Sequence, residues 1–338
     1  MKAYQVQTDE GIDAIKKVDI PVPEIAVDEV LVEMKACSLN YRDTLIPLGG
    51  YPRNETRPVI PLSDGAGVVV DIGKSVKDIK VGDRVTGNFF QDWVKGPVGE
   101  KGLCSALGGG IDGTLAEYFV LKEHGTIPIP DDMSFEAAST LPCAAVTAWH
   151  ALVSLGNTKA GDTILLLGTG GVSIFGLQFA KALGANVIIT SSSDEKLARA
   201  KKMGADHLIN YKDTPDWEQP VLEITGGNGV DNVLEVGGAG TFEKSITSAK
   251  VYGIVSMIGI LSGFDGPAFN LTVALNLLKI HGIYVGSVEM FKEMNTFINK
   301  HNIQPVVDIV YEFDDALKAY QHLVDAKHFG KVVISNGS

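Results

Sequence analysis

Residues 163–181 read TILLLGTGGVSIFGLQFAK. An apolar strand runs directly into a glycine turn and then into a segment with apolar residues at helical spacing, which is the opening βα unit of a parallel sheet. Gly168 permits the tight turn, and Gly170 or Gly171 lets the backbone approach a pyrophosphate. The helix beginning near Val172 offers N–H groups and a positive dipole end, so a dinucleotide is the natural ligand. Ser173 stands where the G-x-G-x-x-G pattern has its third glycine. A glycine turn without a ligand is the alternative, and the βα alternation that follows argues against it.

That alternation is long. After Asp131, apolar residues at helical spacing over Phe135–Leu155 and Val172–Leu183 interleave with apolar strands at Thr163–Leu167 and Asn186–Thr190. A helix over Asp194–Met203, a strand His207–Asn210, a helix around Pro215–Thr225 and strands near Asp231–Val236, Val251–Ile258 and Gly282–Gly286 continue it. Six strands with intervening helices predict a doubly wound parallel sheet. Before residue 130 the texture is different: short valine-rich runs at Glu29–Lys35, Gly67–Ile72, Val81–Val85 and Leu115–Leu121, with tight turns between them, predict a β domain. The tail from Glu289 carries helices at Phe291–Lys300 and Asp314–Val324 and a last apolar strand, Lys331–Ser335, suited to rejoin that first domain.

Composition narrows the function classes. The 338 residues carry 41 Asp and Glu against 29 Lys and Arg, a net charge of −12, and no basic cluster, so nucleic acid is not an expected partner. Three scattered cysteines, Cys37, Cys104 and Cys143, cannot form an even disulfide framework and suit a reducing, cytoplasmic setting. The N-terminal MKAYQVQTDE has no apolar core of a secretory signal. The uncharged stretches 137–158 and 163–180 contain Pro142, His150 and several glycines and read as buried elements rather than bilayer spans.

The second strand of the sheet ends in Ser191-Ser192-Ser193, where an NAD-preferring fold carries an acid for the ribose 2′-hydroxyl. Small hydroxyls there, with Lys196 and Arg199 following, leave room and positive charge for a 2′-phosphate, so NADPH is the expected cofactor. The same serines also read as a helix N-cap before Asp194-Glu195, which is compatible with phosphate binding. Val236-Gly237-Gly, Ile258-Gly259-Ile-Leu261 and Val285-Gly-Ser287 end the later strands, where a ligand crosses their carboxyl ends.

Taken together with Lys35-Ala-Cys-Ser-Leu-Asn-Tyr-Arg-Asp-Thr, Gly49-Gly-Tyr-Pro, Gly65-Ala-Gly-Val-Val, Val81-Gly-Asp-Arg-Val, Gly113-Thr-Leu-Ala-Glu-Tyr, Gly204-Ala-Asp-His and the C-terminal His-Phe-Gly-Lys-Val-Val-Ile, these motifs span essentially the whole chain. The sequence resembles the medium-chain dehydrogenase/reductases, and within them the zinc-free, quinone-oxidoreductase-like branch. The resemblance implies a GroES-like β domain, 1–144 and 288–338, around a Rossmann NADP(H)-binding domain, 145–287. It further implies a homodimer paired through an edge strand, for which Gly282–Gly286 is the candidate.

The alcohol dehydrogenase branch binds a catalytic zinc through a Cys, a Gly-His-Glu and a second Cys. Those positions here fall on Asn40, Leu62-Ser63-Asp64 and Cys143, a poor set for zinc. The four-cysteine structural site of that branch is reduced to Cys104 within Gly96–Gly113. Asn40, Asp43 and Tyr51 match the family's polar catalytic positions. Tyr51 is the first candidate for proton donor, because a phenol can protonate an enolate while itself neutral, and solvent is the alternative source of that proton. Thr147 matches a position near the nicotinamide and Tyr211 one near the adenosine 2′-phosphate. The expected activity is hydride transfer from NADPH to a quinone or another α,β-unsaturated carbonyl compound without a metal. A zinc alcohol dehydrogenase or aldehyde reductase of the same superfamily and a non-catalytic NADPH-binding protein are the rivals.

Overall fold

The computed structural model describes residues 1–50, 58–259, 261 and 271–336. It forms two compact units, Met1–Val146 with Val285–Ser338, and Thr147–Tyr284. Tyr51 lies outside the described residues.

The first unit is a β structure closed by the chain's tail. β1 (Lys2–Val6) and β2 (Ile15–Asp19) form an antiparallel pair. The main sheet contains β3 (Glu29–Ser38), β4 (Asp64–Ile72), β5 (Arg84–Gly87), β6 (Tyr118–Lys122) and β7 (Thr126–Pro128), joined late in the chain by β14 (Val307–Glu312) and β15 (Lys331–Ser335). Its order is β14-β15-β3-β4-β5-β7, with β6 also pairing β3. β3 therefore hydrogen-bonds to three strands. Its alternation buries Val30, Val32 and Met34 in a core shared with Val69, Phe119, Tyr320 and Val332.

The second unit holds β8 (Thr163–Leu166), β9 (Asn186–Ser191), β10 (His207–Asn210), β11 (Val230–Glu235), β12 (Ala249–Met257) and β13 (Lys279–Gly282). All are parallel in the order β10-β9-β8-β11-β12-β13, the doubly wound Rossmann arrangement with its switch point between β8 and β11. Leu165, Ile188, Val233 and Val255 point to one face, against Trp217, Val221 and Ile246. Leu166 and Leu234 point to the other, under the helix Gly171–Ala182. There Trp149 and Phe179 meet edge to face, with centroids 5.8 Å apart.

Two expectations from sequence are corrected. The sixth strand is Lys279–Gly282 rather than Gly282–Gly286, and the backbone beyond it is left-handed at Val285 (φ 54°). The apolar run Phe135–Leu155 is not one helix. It breaks into a helix Phe135–Ser139, a π-turn Leu141–Ala145 containing Pro142, a helical turn Val146–Trp149 and a second π-turn His150–Ser154. Proline supplies no N–H to an i→i−4 ladder, and the wider turns absorb the defect. Among the described residues no helix is long and apolar enough to cross a membrane.

The helix after the glycine turn lies very close to the sheet. A Cβ on Gly176 would come within 2.9 Å of Leu234 Cδ2 and 3.1 Å of Leu166 Cδ2. The close-approach role of the fingerprint's last glycine is thus filled by Gly176, while Ser173 turns its hydroxyl back to the Leu167 carbonyl (2.7 Å). Gly176→Leu should destabilise the protein by about 1–3 kcal/mol through overpacking. Chemical denaturation would show it, and an unchanged midpoint would count against so tight a contact.

Candidate active site

In the second unit the glycine turn has the shape that a pyrophosphate needs. Gly168 sits at φ 72° and its N–H donates to Thr190 Oγ1 (3.2 Å), tying the turn to the end of β9. The first helical bond runs from the Ile174 N–H to the Gly170 carbonyl (3.0 Å). The N–H groups of Gly171, Val172 and Ser173 therefore precede the ladder, in the position from which helix termini bind anions.

β9 ends at Ser191, which is buried, and the Tyr211 N–H donates to the Ser191 carbonyl (3.0 Å), so these two expected cofactor residues are neighbours. Tyr211 is exposed. Ser192 is half-buried beside Ser193, which caps the helix Asp194–Lys202 by accepting the Lys196 N–H. Lys196 and Arg199 follow on that helix, both half-buried. The nearby Asp194 carboxylate is occupied by the Asn210 amide (2.8 Å).

The next carboxyl end is organised by a residue that the sequence reasoning missed. Glu235 closes β11, fully buried. Its Oε1 accepts the N–H groups of Gly237 (2.7 Å) and Gly238 (2.9 Å) and the Thr241 hydroxyl (2.6 Å), and its Oε2 accepts the Ser245 hydroxyl. A buried carboxylate with four donors is satisfied, and it fixes the Val236-Gly237 loop. The Glu235 carbonyl accepts the N–H of Gly259 (3.1 Å), which brings Val236, Gly237 and Gly259 together; Leu261 beyond them is exposed. The available signal was an acid ending an apolar strand just before two glycines. Thr147 is buried in its helical turn. A groove lined by Thr163, Asn186, His207 and Asp231 lies at the opposite, amino ends of these strands and holds none of the expected residues.

In the first unit, Ser287 is buried and caps the helix Val288–His301 by accepting the Met290 N–H (3.2 Å), so its hydroxyl has a structural task. Asn40 and Asp43 stand at the start of the helix Tyr41–Leu45, directly after β3. The Asn40 N–H donates to Asp43 Oδ2 (2.7 Å) in a capping box at the start of this helix, and the Asn40 carboxamide has further partners. Its Oδ1 accepts from the Lys331 ammonium (2.5 Å) and its Nδ2 lies 3.5 Å from Ser63 Oγ. Ser63 donates to Asp64 Oδ1 (2.6 Å). The other oxygen of Asp64 lies 3.6 Å from Lys331 Nζ, 3.3 Å from Ser38 Oγ and 3.4 Å from the Cys143 N–H. Arg42 donates to the Leu107 carbonyl (2.6 Å) and lies over the Phe89 ring.

Burial pushes the Asp43 carboxyl up to about 6, against the Arg42 guanidinium and the Asn40 N–H, which lower it; Asp64 adds to the rise and Lys331 opposes it. Burial, with Asp64 alongside, also pushes the Cys143 thiol well up, so it is no ready thiolate nucleophile. The donor set does not fit a catalytic zinc. An ammonium already takes a lone pair of the Asn40 carboxamide and stands 3.6 Å from the Asp64 carboxylate, the Ser63 hydroxyl is given to Asp64, and the nearby thiol resists ionisation. Lys331 was not singled out from the sequence, although a lysine opening an apolar strand directly after glycine was visible.

Comparison with known proteins follows the same division. Residues 26–131 match the alcohol dehydrogenase GroES-like domain and residues 171–300 the zinc-binding dehydrogenase domain. A zinc-type alcohol dehydrogenase-like protein of Schizosaccharomyces pombe is 46% identical, covering 96% of each chain. A chloroplastic NADPH-dependent alkenal/one oxidoreductase of Arabidopsis thaliana is 30% identical over 99% of this chain and 79% of its own. The solved structure of an NAD-dependent alcohol dehydrogenase superposes over the full length of both chains with a TM-score of 0.91 at 33% identity.

Because the folded Asp43 favours its proton more than a free carboxyl does, its contribution to stability is complete below the ordinary value of 3.8 and is lost as pH rises through about 6. Asp43→Asn should therefore gain on the wild type between about pH 4 and about pH 7.5 in denaturant titrations. A difference that stays constant across that interval would contradict the buried environment assigned to this carboxyl.

Proposed function

The chain belongs to the medium-chain dehydrogenase/reductase superfamily, and from that membership we propose that it is an NADPH-dependent, zinc-independent reductase of quinones or other α,β-unsaturated carbonyl compounds. The observation that carries the cofactor assignment is the end of β9. A buried serine stands there in place of an acid, Tyr211 is bonded beside it, and the Asp194 carboxylate is engaged by Asn210. An acid at Ser191 would repel a 2′-phosphate, whereas hydroxyls accommodate it. The Arabidopsis relative, named for NADPH and alkenals or enones, supports the same reading.

NADPH, held at the glycine turn Gly168–Gly171 and the end of β9, would supply a hydride to the electron-poor carbon of the acceptor. Negative charge then collects on the acceptor's oxygen, and a donor must meet it. Asn40 is the described residue suited to that task, because its oxygen is held by Lys331 and its N–H groups are directed away from that cation. Tyr51 is the proposed proton source, and Asp43 orients Asn40 through its backbone N–H. The donor set around Lys331 makes a zinc alcohol dehydrogenase mechanism the weaker reading.

We further propose a homodimer. Among the described residues β13 pairs only with β12, and exposed Tyr252, Leu271, Leu275, Leu277 and Tyr284 surround that edge. A cytoplasmic setting accords with the three free cysteines.

Chelator-treated protein should oxidise NADPH with quinones, enals and enones and leave saturated aldehydes untouched. Reduction of saturated aldehydes that disappears on chelation would favour the zinc enzyme, and tight NADPH binding without any turnover would favour a binding role. Ser191→Asp should weaken NADPH at least about tenfold relative to NADH, the scale of one unfavourable charge contact of 1.4 kcal/mol; an unchanged ratio would refute the 2′-phosphate assignment. Light scattering should return twice the 36.0 kDa of one chain.

A further inference from the structure

Lys331 is the first residue of β15, and only 3% of it is exposed. Lysine is among the side chains least often buried, and it keeps its charge inside a protein only where partners replace water. Here the replacement is complete. Nζ donates to the Leu39 carbonyl (2.6 Å) and to Asn40 Oδ1 (2.5 Å), and it faces Asp64 Oδ2 at 3.6 Å.

The backbone that delivers this ammonium has little freedom. Gly330 sits at φ +81°, and a Cβ there would lie 2.5 Å from the Val306 carbonyl oxygen, the same oxygen that accepts the Lys331 N–H (3.0 Å). Only glycine fits, and the next residue begins the ladder with its side chain directed at the end of β3. The Gly-Lys pair is thus a delivery device, and the site it serves holds the Leu39 carbonyl, Asn40 and Asp64.

A carboxamide is nearly symmetric in shape, so electrostatics must decide which end points where. A cation on Oδ1 settles the question for Asn40: the oxygen is claimed and the NH2 is turned away. Ser63, whose own proton goes to Asp64, accepts one of these N–H groups over a long 3.5 Å. Among the described residues no group takes the other Asn40 N–H, which is oriented and available.

We propose that Lys331 is a positioning residue for carbonyl reduction, a built-in cation that holds the Asn40 carboxamide oxygen and thereby presents its remaining N–H to the acceptor's developing oxyanion. The ammonium also neutralises Asp64, which would otherwise place an uncompensated negative charge beside that oxygen. This assignment rests on the reductase reading above and adds a residue to it.

The test measures kcat, KM and NADPH affinity, the last by fluorescence of the bound cofactor, for the wild type and for Lys331→Met, Lys331→Arg, Asn40→Ala and the Lys331→Met/Asn40→Ala pair. Loss of the cation should lower kcat about 100-fold, the scale of a misplaced donor, with NADPH affinity unchanged and partial recovery in Lys331→Arg. Because Lys331 acts through Asn40, the pair should be no slower than the slower single variant. Multiplying losses would overturn the proposal, as would a folded Lys331→Met with wild-type kcat, since a purely structural lysine would lower Tm and leave turnover per folded molecule intact. Where Lys331→Met does not fold, Lys331→Met/Asp64→Asn, which strands no charge, is measured in its place, and wild-type kcat there is equally fatal. A wild type silent toward every acceptor overturns the reductase reading and this proposal together, whereas an active wild type with equally active Lys331 variants overturns only the latter.

Discussion

The first unit depends on the contact between β3 and the chain's last strand. β15 pairs antiparallel with β3 through Val333↔Ser38 and Ile334↔Cys37, and the Leu39 N–H donates to the Val332 carbonyl (3.0 Å). This contact spans nearly the whole sequence, so it is costly in chain entropy and is justified only by what it buries. It seals the apolar core with Val332 and Ile334, and it carries Lys331 to the exact stretch of backbone from which Asn40 and Asp43 project. Asp64, at the head of β4, comes to the same place because β4 pairs with β3 through Asp64↔Ser38. Three strands, ordered by one register, assemble a charged cluster inside an apolar unit.

The two units solve the problem of buried charge differently. Glu235 is compensated by neutral donors from its own loop and the helix after it, an arrangement that makes the loop rigid. Asp64 is compensated by a cation and by hydroxyls, and the surrounding charges act on one another: Asp43 feels Arg42, Asp64 and Lys331 together. Rigidity suits a loop at the carboxyl end of a nucleotide-binding sheet. A mutually tuned cluster suits a place where charge develops during a reaction.

This contrast also gives physical meaning to the chain's relation to metal-dependent relatives. Where a dication would gather carboxylate, thiolate and imidazole, the positions here are a carboxamide, a hydroxyl next to a carboxylate, and a thiol that burial keeps protonated. An ammonium takes one lone pair from the carboxamide and stands close to the carboxylate. Lysine supplies one positive charge with three directional donors and no vacant coordination position. It can orient a neighbour, but it cannot polarise a carbonyl by accepting its electrons.

How much of this was written in the sequence follows from the range of each interaction. Period-2 and period-3.6 patterns, with glycine at a turn of φ 72°, are local properties, and they specified the parallel sheet, the pyrophosphate turn and the serine that ends β9. Gly176 was legible as a glycine but not as the close-packing one, because that role depends on Leu166 and Leu234 across the helix–sheet interface. The sixth strand is Lys279–Gly282 because its partners are Ile254–Met257 of β12, a register that its own apolar pattern does not carry. The sequence by itself determined the alternation of strands and helices in the second unit and the glycine turn that follows β8. Only the tertiary structure decided that Lys331, nearly 300 residues from Asn40 (|i−j| = 291), becomes the cation of its site, because pairing across that separation is set by strand register and burial and leaves no trace in any local window.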